Sequence, residues 1–346
     1  MQNLGKDNQF RLSMRYGFLT AFFLAITFQI GFAQQAFTFL NLPSNAQISG
    51  LGGINNSTSL NVNGLWASPA LADSSWNKQI ALSFSPYLAG TKLISMAYGL
   101  PTKSKNQWAF GLQYLNYGTI PQTDAAGNEV GTFTAADYAL ATNYSRQEGN
   151  FRLGANLKFI GSGIEIYQFY ALLADIGGVF KHPKHNFTIG LSIKNVGLIF
   201  KPYFSTNTPT LPLDVQLGMT FKPQYMPIRV SLTAHRLYQW DISYNDPLLS
   251  SKIDANGNRV LKPVSFIENA GRHFVFGVEI LAHKNISILF GYNHLRKQEL
   301  RLTNISGGAG LSGGLLYKSQ KFGFAYSYAA YHLAGGLHTF SLEYGF

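Results

Sequence analysis

Large apolar side chains alternate with small or polar ones in the final segment of the chain, HTFSLEYGF. Phe340, Leu342, Tyr344 and Phe346 occupy every second position. Successive side chains of a β-strand point to opposite faces, so the pattern predicts a strand with one apolar and one polar face. Because the pattern continues to the last residue, we expect this strand to be paired along its whole length.

The same alternation returns along the chain from about Gln79 onward. The clearest runs are QIALSFSP, QWAFGLQYLNY, FRLGANLKFI, YQFYALLADIGGVF, FTIGLSIKNVG, DVQLGMTFK, FVFGVEI and FGFAYSYAAY. Weaker runs cover 92–100, 132–145 and 307–317. Together with the final segment they predict about fourteen strands, with counts of about twelve or sixteen left open.

The connections between these strands differ in length. Most are short turns, whereas 117–131, 199–211 and 237–271 are long and rich in Pro, Asn, Asp and Gly. This layout is typical of outer-membrane barrels, and an even number of strands lets the last strand pair with the first. The sequence therefore predicts an all-β fold, a transmembrane antiparallel β-barrel over 79–346. The residues predicted to close it and to face lipid are Phe340, Leu342, Tyr344 and Phe346.

A large secreted β-sandwich or propeller is the alternative fold, because such proteins also alternate. The composition favours the barrel. Aromatic residues make up 14% of the chain and charged residues only 12%, about half the usual charged share. The few charges concentrate in the loops. The chain has no cysteine, which excludes disulfides and cysteine-ligated metals.

The N-terminus has the pattern of a secretory signal peptide over residues 1–33. Basic residues precede the apolar run GFLTAFFLAITFQIGF, and small residues precede Gln34. An N-terminal membrane anchor is the alternative, although the run is shorter than the roughly 20 residues of a spanning helix. Cleavage would change the net charge from +11 to about +9, and we expect the mature chain in the outer membrane of a Gram-negative cell.

Residues 34–78 lack the strand alternation and contain closely spaced small residues. We expect this segment to form an N-terminal plug, or hatch, inside the barrel, as in many larger barrels. The predicted plug motif consists of Gly50, Gly52, Gly53, Ser68, Pro69 and Ala70.

The plug motif also carries a family resemblance. SNAQISGLGG followed by WASPA resembles the N-terminal signature of FadL-type barrels, with Ser68 in place of that family's Asn. Within this superfamily, FTFLNLPSNAQISGLGG, ADIGGVFK, SIKNVG and LPLDVQLGMTFK resemble, in that order, the PorV/PorQ group of the type IX secretion system. The length, the FLNLP opening and AHRLYQWDISYND favour the PorQ type.

The resemblance implies a fourteen-stranded outer-membrane barrel of a Bacteroidetes-type bacterium that belongs to a cell-surface attachment complex. Its partners would be a PorZ-like surface protein, indirectly PorU-like and PorV-like components, and lipopolysaccharide. The alternative is a FadL-type channel for long-chain fatty acids or other hydrophobic molecules. The candidate partner-contacting residues lie in the 237–271 connection: Tyr238, Trp240, Asp241, Tyr244 and Asp246.

Other patterns point only weakly to chemistry. Ser312 fits a G-x-S-x-G elbow, but it lies in a β series rather than at a strand-to-helix turn. His182 and His185 flank a predicted turn without a carboxylate nearby, and 254–258 departs from the calcium-loop spacing. We therefore expect no enzyme activity, no cofactor and no metal.

Two expectations concern charge. Asp175 lies inside a predicted strand, so it should face the lumen or a partner, most simply through a hydrogen bond to the plug. The basic excess does not form a run with interleaved aromatics, so nucleic acid is not an expected partner. Lys and Arg side chains at strand ends would instead meet lipopolysaccharide phosphates.

Overall fold

A computed structural model describes residues 35–58, 60–102, 105–203, 209–243, 251–253, 259–261, 264–300, 307–332 and 335–346. The predicted signal peptide, the predicted partner residues Tyr244 and Asp246, and the calcium-like loop 254–258 lie outside these residues.

The described chain forms sixteen strands, fourteen of which close into one antiparallel barrel. The first and last strands pair to close the ring, and two short strands pair with each other outside it. The predicted count of fourteen barrel strands is confirmed. The strands are β1 Gln79–Pro86, β2 Lys92–Gly99, β3 Asn106–Thr123, β4 Glu129–Glu148, β5 Phe151–Ile164, β6 Tyr167–Lys181, β7 Phe187–Lys201, β8 Asp214–Phe221, β9 Ile228–Ala234, β10 Ser251–Ile253, β11 Arg259–Leu261, β12 Phe274–His283, β13 Ile286–Asn293, β14 Leu311–Lys318, β15 Phe322–His332 and β16 Gly335–Gly345.

Within the described residues, three short α-helices lie between or before the strands. They are α1 Ala46–Gly50, α2 Phe266–Arg272 and α3 His294–Leu300. Short 3-10 turns, among them Val62–Trp66 and Pro69–Leu71, complete the N-terminal part. None of the helices in the described ranges has the length and apolar character needed to cross a membrane.

The alternation predicted from sequence matches the difference in side chains between the outer and inner faces of the wall. Large apolar side chains on the outside are exposed, as at Leu217, Met219 and Phe221 in β8, while Gln216 and Thr220 of the same strand are buried inside. Because this exterior is apolar over most of its strands, it suits lipid rather than water.

The last strand pairs on both sides, as the sequence requires. Leu342 lies opposite Leu82 of β1 and Phe324 of β15, and the backbone N–H of Phe346 donates to the carbonyl of Lys78 at 3.1 Å. The side chains of Phe340, Leu342, Tyr344 and Phe346 are exposed on the outer face.

The two ends of the barrel differ. The short-turn end has connections such as 149–150, 182–186 and 284–285, whereas the long-loop end has 202–213, 235–273 and 294–310. The expectation of a long loop over 117–131 was wrong. β3 and β4 continue as a paired ribbon, and only 124–128 form the turn, because Asp124 and Asn128 exchange hydrogen bonds across it.

The outward position of Leu342 leads to a first prediction. Leu342→Arg should destabilise the folded barrel by about 2 kcal/mol or more, because it places a charge on the lipid-facing side of β16, opposite Leu82 in the middle of β1. Urea unfolding in lipid vesicles measures the change. Val130→Arg is the matched control, because Val130 is exposed on the ribbon beyond the barrel wall. Equal effects of the two substitutions would contradict the assigned lipid-facing surface.

Candidate functional site

The N-terminal segment, residues 35–78, contacts the inward face of the wall around much of the ring. The backbone N–H of Ala46 donates to Ser341 Oγ on β16 at 2.8 Å, and Asn55 Nδ2 donates to Ser231 Oγ on β9 at 3.0 Å. Ser57 Oγ lies 2.7 Å from Thr220 Oγ1 on β8. Hydrogen bonds therefore join this segment to strands that are far apart in sequence.

Glycines in the wall leave room for the N-terminal segment to lie close to the strands. Asn56 Nδ2 donates to the carbonyls of Gly190 and Gln216 at 3.3 and 3.2 Å. A Cβ at Gly190 would lie 2.2 Å from the Asn56 carbonyl oxygen, and one at Gly218 would lie 1.9 Å from Asn56 Oδ1. Any larger residue at either position would displace Asn56.

The glycine part of the predicted plug motif begins at Gly50, the last residue of α1, and lies against β12–β14. Ser312 Oγ donates to the Gly50 carbonyl at 3.1 Å, and Asn293 Nδ2 donates to the Gly52 carbonyl at 3.2 Å. Gly52 has a φ of 99°, and a Cβ there would lie 2.4 Å from Val275 Cγ1. Gly53 also has a positive φ. Ser312 thus binds backbone, which suits a lumen-facing residue better than a nucleophile.

The second part of the motif, Ser68, Pro69 and Ala70, packs against β4–β6. Asn143 Nδ2 donates to the Pro69 carbonyl at 3.1 Å, and a Cβ at Gly154 would lie 2.3 Å from the same oxygen. Ser68 and Ala70 are fully buried. The motif therefore makes close backbone contact with the wall, although the Asn amide of the FadL signature is replaced by a hydroxyl here.

A buried ion pair lies in the wall beside this motif. Lys158 Nζ on β5 is 2.6 Å from Asp175 Oδ1 on β6, and both side chains are almost fully buried. The Asn195 backbone N–H donates to Asp175 Oδ1 at 2.8 Å, and Asn156 Nδ2 donates to Asp175 Oδ2 at 3.0 Å. The expectation that Asp175 faces the lumen fits this geometry.

The link from Asp175 to the N-terminal segment is indirect, unlike the expected direct hydrogen bond. Asn156 Nδ2 also donates to the Leu65 carbonyl at 2.8 Å, and Lys194 Nζ donates to the Trp66 carbonyl at 2.8 Å. The Asp175 carboxylate already binds Lys158 and Asn195. Asn156 and Lys194 therefore make the contact with the N-terminal segment instead. The sequence reasoning missed Lys158, Asn156 and Lys194, although polar residues at alternate strand positions were the available signal.

A cavity of about 240 Å³ lies at the long-loop end between the N-terminal segment and the wall. Leu40, Leu42, Ile48, Trp66 and Leu295 provide its apolar lining. Its charged lining consists of Lys194, Asp214, Arg236, Arg296 and Glu299.

The charged groups around this cavity differ in the contacts that they already make. Asp214 accepts hydrogen bonds from the Arg236 backbone N–H at 2.7 Å and from Gln216 Nε2 at 2.6 Å. Arg296 stacks over the Tyr331 ring at 4.1 Å. His235 also lines the cavity, and its burial lowers its pKa to about 4, so the ring is neutral at neutral pH. The lining therefore combines an apolar floor with an excess of cationic groups.

The remaining candidates occupy separate places. Trp240 is exposed, and Tyr238 and Asp241 lie beside it in the connection after β9. His182 and His185 lie in the β6–β7 turn with ring centroids 4.7 Å apart, and the backbone N–H groups of Lys184 and His185 donate to His182 Nδ1. Across the described ranges, no three potential ligands from His, Cys, Asp and Glu cluster as a metal site would require.

No family model matches the chain, and neither does any curated protein. Several solved structures do match the chain. The toluene transporter TbuX of Ralstonia pickettii is 9% identical with a TM-score of 0.54, over 89% of this chain and 100% of that one. The CymD monoaromatic hydrocarbon channel is 10% identical with a TM-score of 0.53, over 88% of this chain and 98% of that one. The P. putida toluene transporter TodX is 11% identical with a TM-score of 0.51, over 88% of this chain and 99% of that one.

At such low identity the likeness concerns the fold. It supports the closed β-barrel fold that the sequence predicted. The names of these three structures describe two toluene transporters and a hydrocarbon channel.

The buried ion pair leads to a second prediction. Asp175→Asn should destabilise the barrel by about 3 kcal/mol or more, because it leaves Lys158 buried without its counter-charge. Replacing both residues, as in Lys158→Met with Asp175→Leu, should cost less than the single change. Urea unfolding of each variant in micelles measures this. Glu148→Gln, in the exposed Arg146–Glu148 pair, is the control and should change little.

Proposed function

We propose that the protein is an outer-membrane channel for small hydrophobic or amphipathic molecules, with the N-terminal segment as its hatch. The observation that carries this proposal is the cavity of about 240 Å³ between that segment and the barrel wall. Ligand sites are typically concave, mostly apolar and supplied with a few converging polar groups. The FadL-like fold and the names of the similar hydrocarbon channels support the same proposal.

The cavity lining indicates the kind of molecule. Leu40, Ile48 and Leu295 favour an apolar body, while Arg236 and Arg296 favour an anionic oxygen. Asp214 competes little for such a group, because its carboxylate already accepts two hydrogen bonds. A fatty acid matches both requirements, and an uncharged hydrocarbon matches the first.

The hatch would have to move for a molecule to pass. Residues 55–58 are held to the wall mainly by side-chain hydrogen bonds, as between Asn56 and Gly190 or Ser57 and Thr220. Water can replace such bonds at small net cost. The part around Leu65 and Trp66 instead belongs to the apolar cluster. We therefore place the movable part of the hatch at about 51–58, beside the cavity.

A disulfide tether tests this proposal. Ser57→Cys with Thr220→Cys should block transport when oxidised and restore it when reduced, because the two hydroxyl oxygens are only 2.7 Å apart. Uptake of a fluorescent fatty acid into proteoliposomes measures the rate. The chain has no cysteine of its own, so no other disulfide competes.

Ser85→Cys with Thr339→Cys is the matched control. These hydroxyls are 3.1 Å apart on neighbouring strands β1 and β16, so that disulfide stays within the wall. Transport that persists in the oxidised hatch variant would overturn the hatch. Absence of fatty-acid transport in the reduced protein, with ligand binding also absent, would overturn the channel.

A second candidate function is the anchoring of a surface protein of the type IX attachment machinery through the long-loop end. An exposed apolar surface there favours it: Trp240 is 52% exposed, Phe266 73% and Ile267 81%. The Trp240 and Phe266 rings are 4.8 Å apart, and His273 Nε2 lies 3.0 Å from the Trp240 carbonyl. Aromatic residues held in place in this way are typical of interface anchors.

This candidate gives its own prediction. Trp240→Ala with Phe266→Ala should abolish co-purification of a PorZ-like surface protein in mild detergent, while fatty-acid uptake stays unchanged. Phe276→Ala is the control, because Phe276 is similarly exposed but lies on the lipid-facing side of β12. Retention of the surface protein by the double variant would exclude this surface as its anchor.

A further inference from the structure

The β3–β4 ribbon extends well beyond the barrel wall at the long-loop end. β2 pairs with β3 only as far as Asn116, and β5 pairs with β4 only from Ala135 onward. Between these limits, 119–123 of β3 pair with 129–134 of β4. At about 3.3 Å per residue, the ribbon projects on the order of 15–20 Å past its neighbours. Within the described part of the chain, neither of its outer edges continues a strand pairing.

The two edges of the ribbon are not equivalent. Pro121 on β3 has no N–H group, which is a common protection of an edge strand. On β4, the Thr134 carbonyl accepts a hydrogen bond from the Glu165 N–H at 3.3 Å, so the backbone groups of Thr134 face away from β3. Groups two residues apart on a strand point the same way, so the N–H and C=O of Thr132 face the open edge.

Exposed apolar side chains lie beside the β4 edge. Val130 is 62% exposed on β4, and Ile166 is 80% exposed in the β5–β6 turn below it. Natural edge strands are normally shielded by lysine, proline or a covering loop. The β4 edge carries no lysine or proline over 129–134.

The charge of the ribbon is opposite to that of the whole protein. Residues 117–134 contain Asp124 and Glu129 and no Lys or Arg, in a chain of net charge +11. Glu165 lies next to the edge, and Gln122 Nε2 contacts its carboxylate at 3.4 Å. Hydrogen bonds from Asn128 lower the pKa of Asp124, so this carboxylate keeps its charge in mildly acidic medium. The ribbon is therefore an acidic site on a basic protein.

We propose that the β4 edge of this ribbon binds an extended segment of another protein by strand addition, and that the segment carries Lys or Arg between apolar residues. Backbone pairing with Thr132 provides the hydrogen bonds, Val130 and Ile166 contact the apolar residues, and Glu129 and Glu165 contact the basic ones. The turn hydrogen bonds of Asp124 hold the ribbon in shape before binding, which reduces the entropy cost of association. This surface is independent of the proposed channel.

The test uses the mature protein in nanodiscs of zwitterionic lipid and a fluorescent peptide of alternating Lys and Val. Fluorescence anisotropy should show binding to the wild type and to Thr132→Ala, which keeps the backbone N–H. Thr132→Pro, which removes that N–H, should weaken binding at least tenfold. Glu129→Lys with Glu165→Lys should weaken it similarly without touching the backbone. Pro121→Thr, on the other edge, should leave it unchanged.

Three results would overturn the proposal. The first is equal binding of the peptide to Thr132→Pro and Thr132→Ala, which would indicate adsorption to lipid or to the apolar surface. The second is equal binding of a matched peptide of alternating Glu and Val. The third is a dimer of the protein, seen by sedimentation, that Thr132→Pro dissolves, because the occupant of the edge would then be a second copy. Resistance of the folded barrel to detergent at room temperature confirms that each variant folds.

Discussion

Closure of the backbone hydrogen-bond ring is the constraint on which the rest of this structure depends. Inside lipid an unpaired N–H or C=O costs several kcal/mol, so a sheet can span a membrane only without free edges. The pairing of β16 with β1 meets this condition. It explains why the chain keeps its alternation up to Phe346 and why apolar rings cover the outside of the final strand.

Closure also creates an inner surface whose polar groups must be hydrated or hydrogen-bonded. The N-terminal segment covers much of it with amide and hydroxyl groups, as at Asn55 and Asn56, and with the carbonyls of Leu65 and Trp66. Glycines in the wall allow this approach, since side chains at Gly190 or Gly218 would collide with Asn56. The segment and the wall are therefore complementary in both shape and hydrogen bonding.

The sequence was a good guide to the wall and a poorer guide to its contents. A two-residue period is a local property, so the strands, their outward faces and the closing role of the last strand could all be predicted. The ribbon of β3 and β4 was predicted as a loop because Gly118, Pro121 and Gly131 are turn-forming residues. Cross-strand pairing at Ile120 and Phe133 outweighed that tendency. The ion pair of Lys158 with Asp175 depends on the register between β5 and β6, which the sequence does not reveal.

The contact between Ala46 and Ser341 joins residues that are 295 positions apart along the chain. Contacts of such long range form late in folding, because the entropy cost of closing so large a loop must be met first. The strands that α1 contacts are β13–β16, so its binding surface does not exist until the C-terminal strands are in place. The N-terminal segment can therefore complete its contacts with the wall only after the last strand has paired with the first.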